Sequence, residues 1–297
     1  MKTSVLRIWS FCGATAFVFN RMRKRAWPIA AALFLSFLFP QPTQALDKPF
    51  DHSVWDAFLK KFVNDDGQVD YAGVQKDPKL LNEYLAQLAA IDLGDFTYNW
   101  PREEKLAVWM NAYHAGIISI IARHYPVKSI QDIPGVWNAA STPVAMKNHT
   151  LNDIRASNLI SVYRDEKIHT ALACGAKSCP KLRNEAYTGP KVEGQLFLAT
   201  RDFVNDSGRN KITPGERKVV VSRIFKWYAR DFELDFGTLE KMNDFSEEEM
   251  AVLSFIAHYL DDSQKIEYLE DGHYKIKYSP FDWSLNDWRR GQTSAEG

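Results

Sequence analysis

Cysteine is scarce in this chain: three in 297 residues, with only Cys174 and Cys179 beyond the first 45. No Cys-x-x-Cys-His sequence for covalent haem attachment is present, no glycine-rich phosphate loop and no Gly-x-Ser-x-Gly nucleophile elbow. Low-complexity tracts and internal repeats are also missing, which excludes solenoids and arrays. No long basic cluster occurs, so nucleic acid recognised through phosphate neutralisation is not an expected partner.

The N-terminus is depleted of acidic residues. Residues 1–45 hold six basic side chains and no acidic one; Arg21, Arg23, Lys24 and Arg25 precede an apolar run from Ala26 to Phe39 and then Thr43-Gln-Ala45. This is the pattern of a secretory signal peptide. The apolar run falls short of the roughly 20 residues a spanning helix needs, so no permanent membrane span is expected. Met22 is an alternative start, giving a signal of ordinary proportions. The expectation is an exported protein, periplasmic or extracellular, with residues 46–297 as a single globular domain. That remainder carries 31 basic and 37 acidic side chains, a net charge of about −6.

What is present is concentrated between Lys167 and Leu182, which hold His169, Cys174, Ser178, Cys179 and Pro180. Alternation from Ile168 to Cys174 predicts a short buried strand ending at Gly175. Pro180 suits the first position of a helix, making Cys179 its cap. A thiol at a helix N-terminus is biased towards thiolate, so Cys179 is the expected nucleophile, His169 its base, and Cys174 an inert core thiol. The competing reading is a Cys174–Cys179 disulfide, since the two are close in sequence in a chain expected in an oxidising compartment. A zinc site would need His114 as well, and the spacing matches no common zinc pattern. No metal or other cofactor is expected.

Hydrophobic periodicity predicts helices from Ser53 to Val63, around Leu81–Leu88, from Pro101 to about His124, over Leu151–Val162, Val192–Val204 and Glu247–Tyr259, and strands at Val219–Ile224 and Ile276–Tyr278. Helices outnumber strands, so the class is α+β with a small sheet. The long helix carries Asn111 and His114 three residues apart on a face otherwise destined for burial; loop tethering and catalysis are equally good readings. Glu104, Asn111 and Asp282 are candidates to orient His169. His52, His149, His258 and His273 are expected on the surface.

Four ordered motifs, Trp109-Met-Asn-Ala-Tyr113, Ile168-His-Thr-Ala-Leu-Ala-Cys174, Ser178-Cys-Pro180 and Ile224-Phe-Lys-Trp227 with Asp231-Phe232, resemble the family catalogued as domain of unknown function 547 over about residues 100–235. The ending Asp282-Trp-Ser-Leu-Asn286 is similar to the family's tail. The resemblance implies a relation to papain-like thiol hydrolases and marks Trp109, Tyr113, Ser178 and Asp282, which with His114 are the candidate binding residues. The chain departs from the family pattern at His114, at Thr170 and at Ile154-Arg-Ala156, where the family has Ile-Glu-His. The leading expectation is a thiol-dependent hydrolase or transferase acting on an amide or acyl bond of a peptide, amide or cell-envelope substrate. The alternative is a non-enzymatic envelope binding protein stapled by a Cys174–Cys179 disulfide.

Overall fold

The structure is a computed structural model that describes residues 49–138, 142–237 and 245–288. The signal-peptide reading of residues 1–45 lies outside them. The described residues belong to one compact unit.

The first helices follow the apolar period. In α1 (Ser53–Phe62), Trp55, Phe58, Leu59 and Phe62 are buried. Its first turn is closed by Asp51, which accepts from the Ser53 amide at 2.8 Å; Ser53 itself caps nothing. Asp70 caps α2 (Tyr71–Lys76), and Leu81, Tyr84 and Leu88 seat α3 (Lys79–Ala89). Gly94 lies inside α4 (Leu93–Tyr98), because Asp92 caps the Asp95 amide at 2.7 Å and outweighs one glycine's helix penalty.

The central α5 (Arg102–His124) is buried nearly all round, with Glu103 and Glu104 in its first turn and Arg123 and His124 in its last, matching the helix dipole. A hairpin of β1 (Thr142–Val144) and β2 (Lys147–His149) follows. Its two-residue turn places Ala145 and Met146 at φ 48° and 61°, an uncommon conformation for side-chain-bearing residues. Both amides donate to the last carbonyls of α3, at Leu88 (2.9 Å) and Ala89 (3.1 Å), so the turn doubles as a helix cap.

The predicted Leu151–Val162 helix exists, but Asp153–Ile160 is wound as a π-helix before a last turn, α6 (Ser161–Tyr163). The expected strand at 168–174 is instead a one-turn helix, α7 (Lys167–Ala171), followed by extended backbone at Leu172. Ile168, His169, Thr170 and Ala171 are all buried, so no period distinguishes strand from helix in the sequence. Nor does a helix begin at Pro180. Residues 180–188 are irregular, and the next long helix is α8 (Val192–Asn205).

In the second half, β3 (Lys218–Val221) ends earlier than predicted and the chain turns into α9 (Arg223–Trp227), capped by Ser222. Then come α10 (Glu233–Phe236), α11 (Glu247–Tyr259) with a Ser246/Glu249 capping box, α12 (Ser263–Asp271), which the sequence reading missed, and β4 (Lys275–Tyr278), parallel to β3. Two small two-stranded sheets in a helix-rich chain make the fold α+β. No described helix is long and apolar enough to cross a membrane.

Two apolar clusters form the interior. One surrounds α5 and includes Trp55, Tyr84, Tyr113 and Ile168; the other gathers Phe225, Phe232 and Phe255 beside α11. The C-terminal segment joins distant pieces of the chain. Ser284 bridges to Ser129, Leu285 to Ala176 and Asp287 to Val69, while Asn286 accepts from the Tyr71 hydroxyl at 2.7 Å.

Candidate functional site

Where side chains of the two clusters meet, a cleft of about 370 Å³ opens. Tyr113 of α5, Asn152 and Arg155 of the π-helical segment, His169, Leu172 and Cys174 around α7, and Ile224, Trp227 and Tyr228 at the end of α9 line it. Trp137, Phe281 and Trp283 complete the wall. Three tryptophans in one cleft supply large apolar faces with few rotamers to freeze on binding.

His169 is buried, and its Nε2 lies 2.9 Å from a carboxylate oxygen of Asp231. That hydrogen bond holds the Asp231 carboxyl below its usual range, against the opposing effect of partial burial. In the neutral imidazole, an Nε2–H donated to the ionised Asp231 leaves the lone pair on Nδ1, the arrangement a general base requires. The imidazole stacks on Tyr228, centroids 4.1 Å apart and planes 15° off parallel. Asp231, not Glu104, Asn111 or Asp282, is therefore the side chain that orients His169.

The two cysteines exchange the parts that the sequence suggests for them. They are bridged, with Cα atoms 5.6 Å apart. Cys174, expected in the core, is half-buried and faces the cleft with His169. Cys179, expected as a helix-activated nucleophile, is 2% exposed, caps no helix and takes a weak hydrogen bond at sulfur from the Ala176 amide, 3.4 Å. A bridged sulfur is not a thiolate, and a thiol at 179 would have no helix dipole to lower its pKa, so the Cys179 assignment is corrected on both counts. Gly175, between them, adopts φ +80°; a Cβ there would lie 2.6 Å from Ile121 Cδ1, so the tight turn requires glycine.

The other candidates are scattered. Glu104 is buried near the start of α5 against Gly189, where burial pushes its carboxyl above the usual range, and it does not reach the cleft. Asn111 grips Tyr187, donating to its carbonyl at 2.8 Å and accepting from its amide at 3.0 Å, so it tethers a loop. Trp109 packs edge-on against Phe96 and His149 behind the site. His114 sits beneath the 171–173 backbone and accepts from the Ala173 amide at 3.1 Å; burial holds it neutral, its pKa down to about 3. Ser178 and Asp282 hold each other across the chain: the Asp282 amide donates to Ser178 Oγ at 2.8 Å and the Ser178 amide to the Asp282 carbonyl at 3.2 Å. Asp282 thereby anchors its cleft-lining neighbours Phe281 and Trp283. Of the nine candidates only Tyr113 and His169 line the cleft themselves. His52, expected on the surface, is buried on Tyr84 with its pKa pushed down to about 4, because its stretch of sequence carries no period that marks it as interior.

Sequence reasoning missed Arg155, the aromatic wall and the orienting role of Asp231. Asp231 and Trp227 were visible only as parts of a motif. Among the described residues, no group of three or more His, Cys, Asp or Glu side chains is arranged to hold a metal ion. No curated protein and no solved structure gives a significant match to the chain. The segment 97–204, which contains α5, the π-helix, His169 and both cysteines, matches the family described as Protein of unknown function, DUF547, the family that the sequence motifs resemble.

Proposed function

We propose that the protein is an exported thiol-dependent hydrolase or transferase for an amide or acyl bond, with Cys174 as nucleophile, His169 as base and Asp231 as the group that orients it. The observation that carries this reading is that Cys174 and an Asp231-held His169 line one cleft. The bridged form is the resting state. A dithiol reductant gives two electrons and two protons to the bridge, leaving two thiols and its own disulfide. His169 Nδ1 then takes the Cys174 proton as the sulfur bonds to the acyl carbon. The C–N or C–O bond breaks, the proton passes to the leaving group, and water or another acceptor releases the acyl group from sulfur. An imidazole held through Nε2 by a side-chain oxygen, with Nδ1 left for sulfur, is the sense in which the site is papain-like.

Alkylation with iodoacetamide after mild reduction tests this. Cys174 should be modified ahead of Cys179 and at a pH well below the ordinary thiol value of about 8.5, and His169→Ala should move that profile up. Ordinary thiol titration at Cys174, indifferent to His169, would falsify the proposal. The bridge itself favours a second reading, a binding protein whose cleft is stapled by the disulfide. That reading expects ligand affinity to survive Cys174→Ser and reduction to release no acyl-transfer activity.

A further inference from the structure

Arg155 is half-buried at the cleft and has no acidic partner among the described residues. Its Nη1 donates to the Tyr228 hydroxyl at 2.8 Å and its Nη2 to Asn152 Oδ1 at 3.0 Å, both neutral groups. The acidic side chain of the site, Asp231, is engaged with His169. A guanidinium held in place by neutral acceptors, within an aromatic cleft, keeps its charge uncompensated and its remaining N–H donors available to an anion. Asn152, at the cap of the π-helical segment, and Arg155, in its first turn, lie on the same wall and are hydrogen-bonded to each other, so the fork is pre-organised by its own segment.

Tyr228 also fixes the spacing. Its ring centroid is 5.8 Å from Arg155 Cζ and 4.1 Å from the His169 ring, so guanidinium and imidazole are separated by no more than these two distances combined. An anion on Arg155 would therefore lie within the span of one to about three extended residues from an acyl carbon beside His169. We infer that the cleft recognises a compound whose free carboxylate docks on Arg155 and whose apolar acyl or side-chain portion lies on Trp137, Trp227 and Trp283: an N-acyl amino acid or the C-terminal residue of a peptide. The placement of the acyl carbon rests on the thiol-site reading above. Carboxylate recognition does not.

Isothermal titration of the bridged protein, in which neither Cys174 nor Cys179 is a thiol, separates the two. N-benzoylglycine should bind at least about ten-fold more tightly than N-benzoylglycinamide, as expected for one charge-assisted pair. Arg155→Gln should abolish that preference while leaving amide binding in place, and Arg155→Lys should restore part of it; near-UV circular dichroism checks that each variant is folded. Equal affinity for acid and amide, or a preference that survives Arg155→Gln, overturns the inference. Phenyl phosphate binding more tightly than N-benzoylglycine would overturn the carboxylate assignment. A carboxylate preference without Cys174 reactivity would retain this inference and remove the enzyme.

Discussion

His52 and His114 are buried as neutral imidazoles, burial pushing their pKa values from the ordinary histidine range down to about 4 and about 3. Both stay unprotonated in the fold at pH values where the unfolded chain already binds protons. Their neutral burial costs nothing above about pH 6.5 and removes stability progressively as pH falls below it, by on the order of a few kcal/mol for each site near pH 4. Urea titrations between about pH 7 and 4 should show a falling midpoint, and His114→Gln, which cannot titrate, should flatten the slope. Glu104 has the opposite sign: burial raises its carboxyl pKa, so its contribution is lost as pH rises through the folded value. Glu104→Gln should raise the thermal midpoint at neutral pH. Asn111→Ala leaves both the amide and the carbonyl of Tyr187 without their partner in a fully buried place, a loss of about 2–3 kcal/mol by denaturant titration. A sequence could nominate Asn111 and His114 as buried polar groups. Whether each had a partner or a reaction depended on where residues 171–173 and 187 pass.

Long elements were legible and short ones were not. The boundaries of α5, α8 and α11 lie within about two residues of their sequence readings, because many side chains repeat one period and caps mark the ends. For α7, four consecutive buried residues, Ile168–Ala171, carry no period, and for residues 180–188 the proline signal is overridden by a segment in which Leu182, Ala186 and Tyr187 turn inward from irregular backbone. Cys179 owed its candidacy as nucleophile to a helix that does not form. The 174–179 loop depends instead on Gly175. Gly175→Ala forces a Cβ into Ile121 and a positive φ on alanine, so a loss of about 1–3 kcal/mol is expected in the same titration.

At the scale of the whole molecule the bridge closes only a small loop, for which chain entropy gives about 2 kcal/mol. The interior is carried by the two apolar clusters, neither of which includes a cysteine. Reduction should therefore lower the unfolding free energy by about that amount and leave near-UV circular dichroism folded. Loss of tertiary signal on mild reduction would show the bridge to be structural and would remove the reduced enzyme from consideration.

The sequence by itself determined the α+β class, the long helices, the DUF547 resemblance and the importance of the 167–182 segment, because these rest on local periodicity, capping and contiguous motifs. Only the tertiary structure decided that Cys174 and not Cys179 faces the cleft, that Asp231 holds His169, and that Arg155 stands there without a counter-charge among the described residues. Those facts join residues 113, 155, 169, 174, 228 and 283, which become neighbours when the two clusters meet and the C-terminal segment closes over them. No spacing along the chain encodes that meeting.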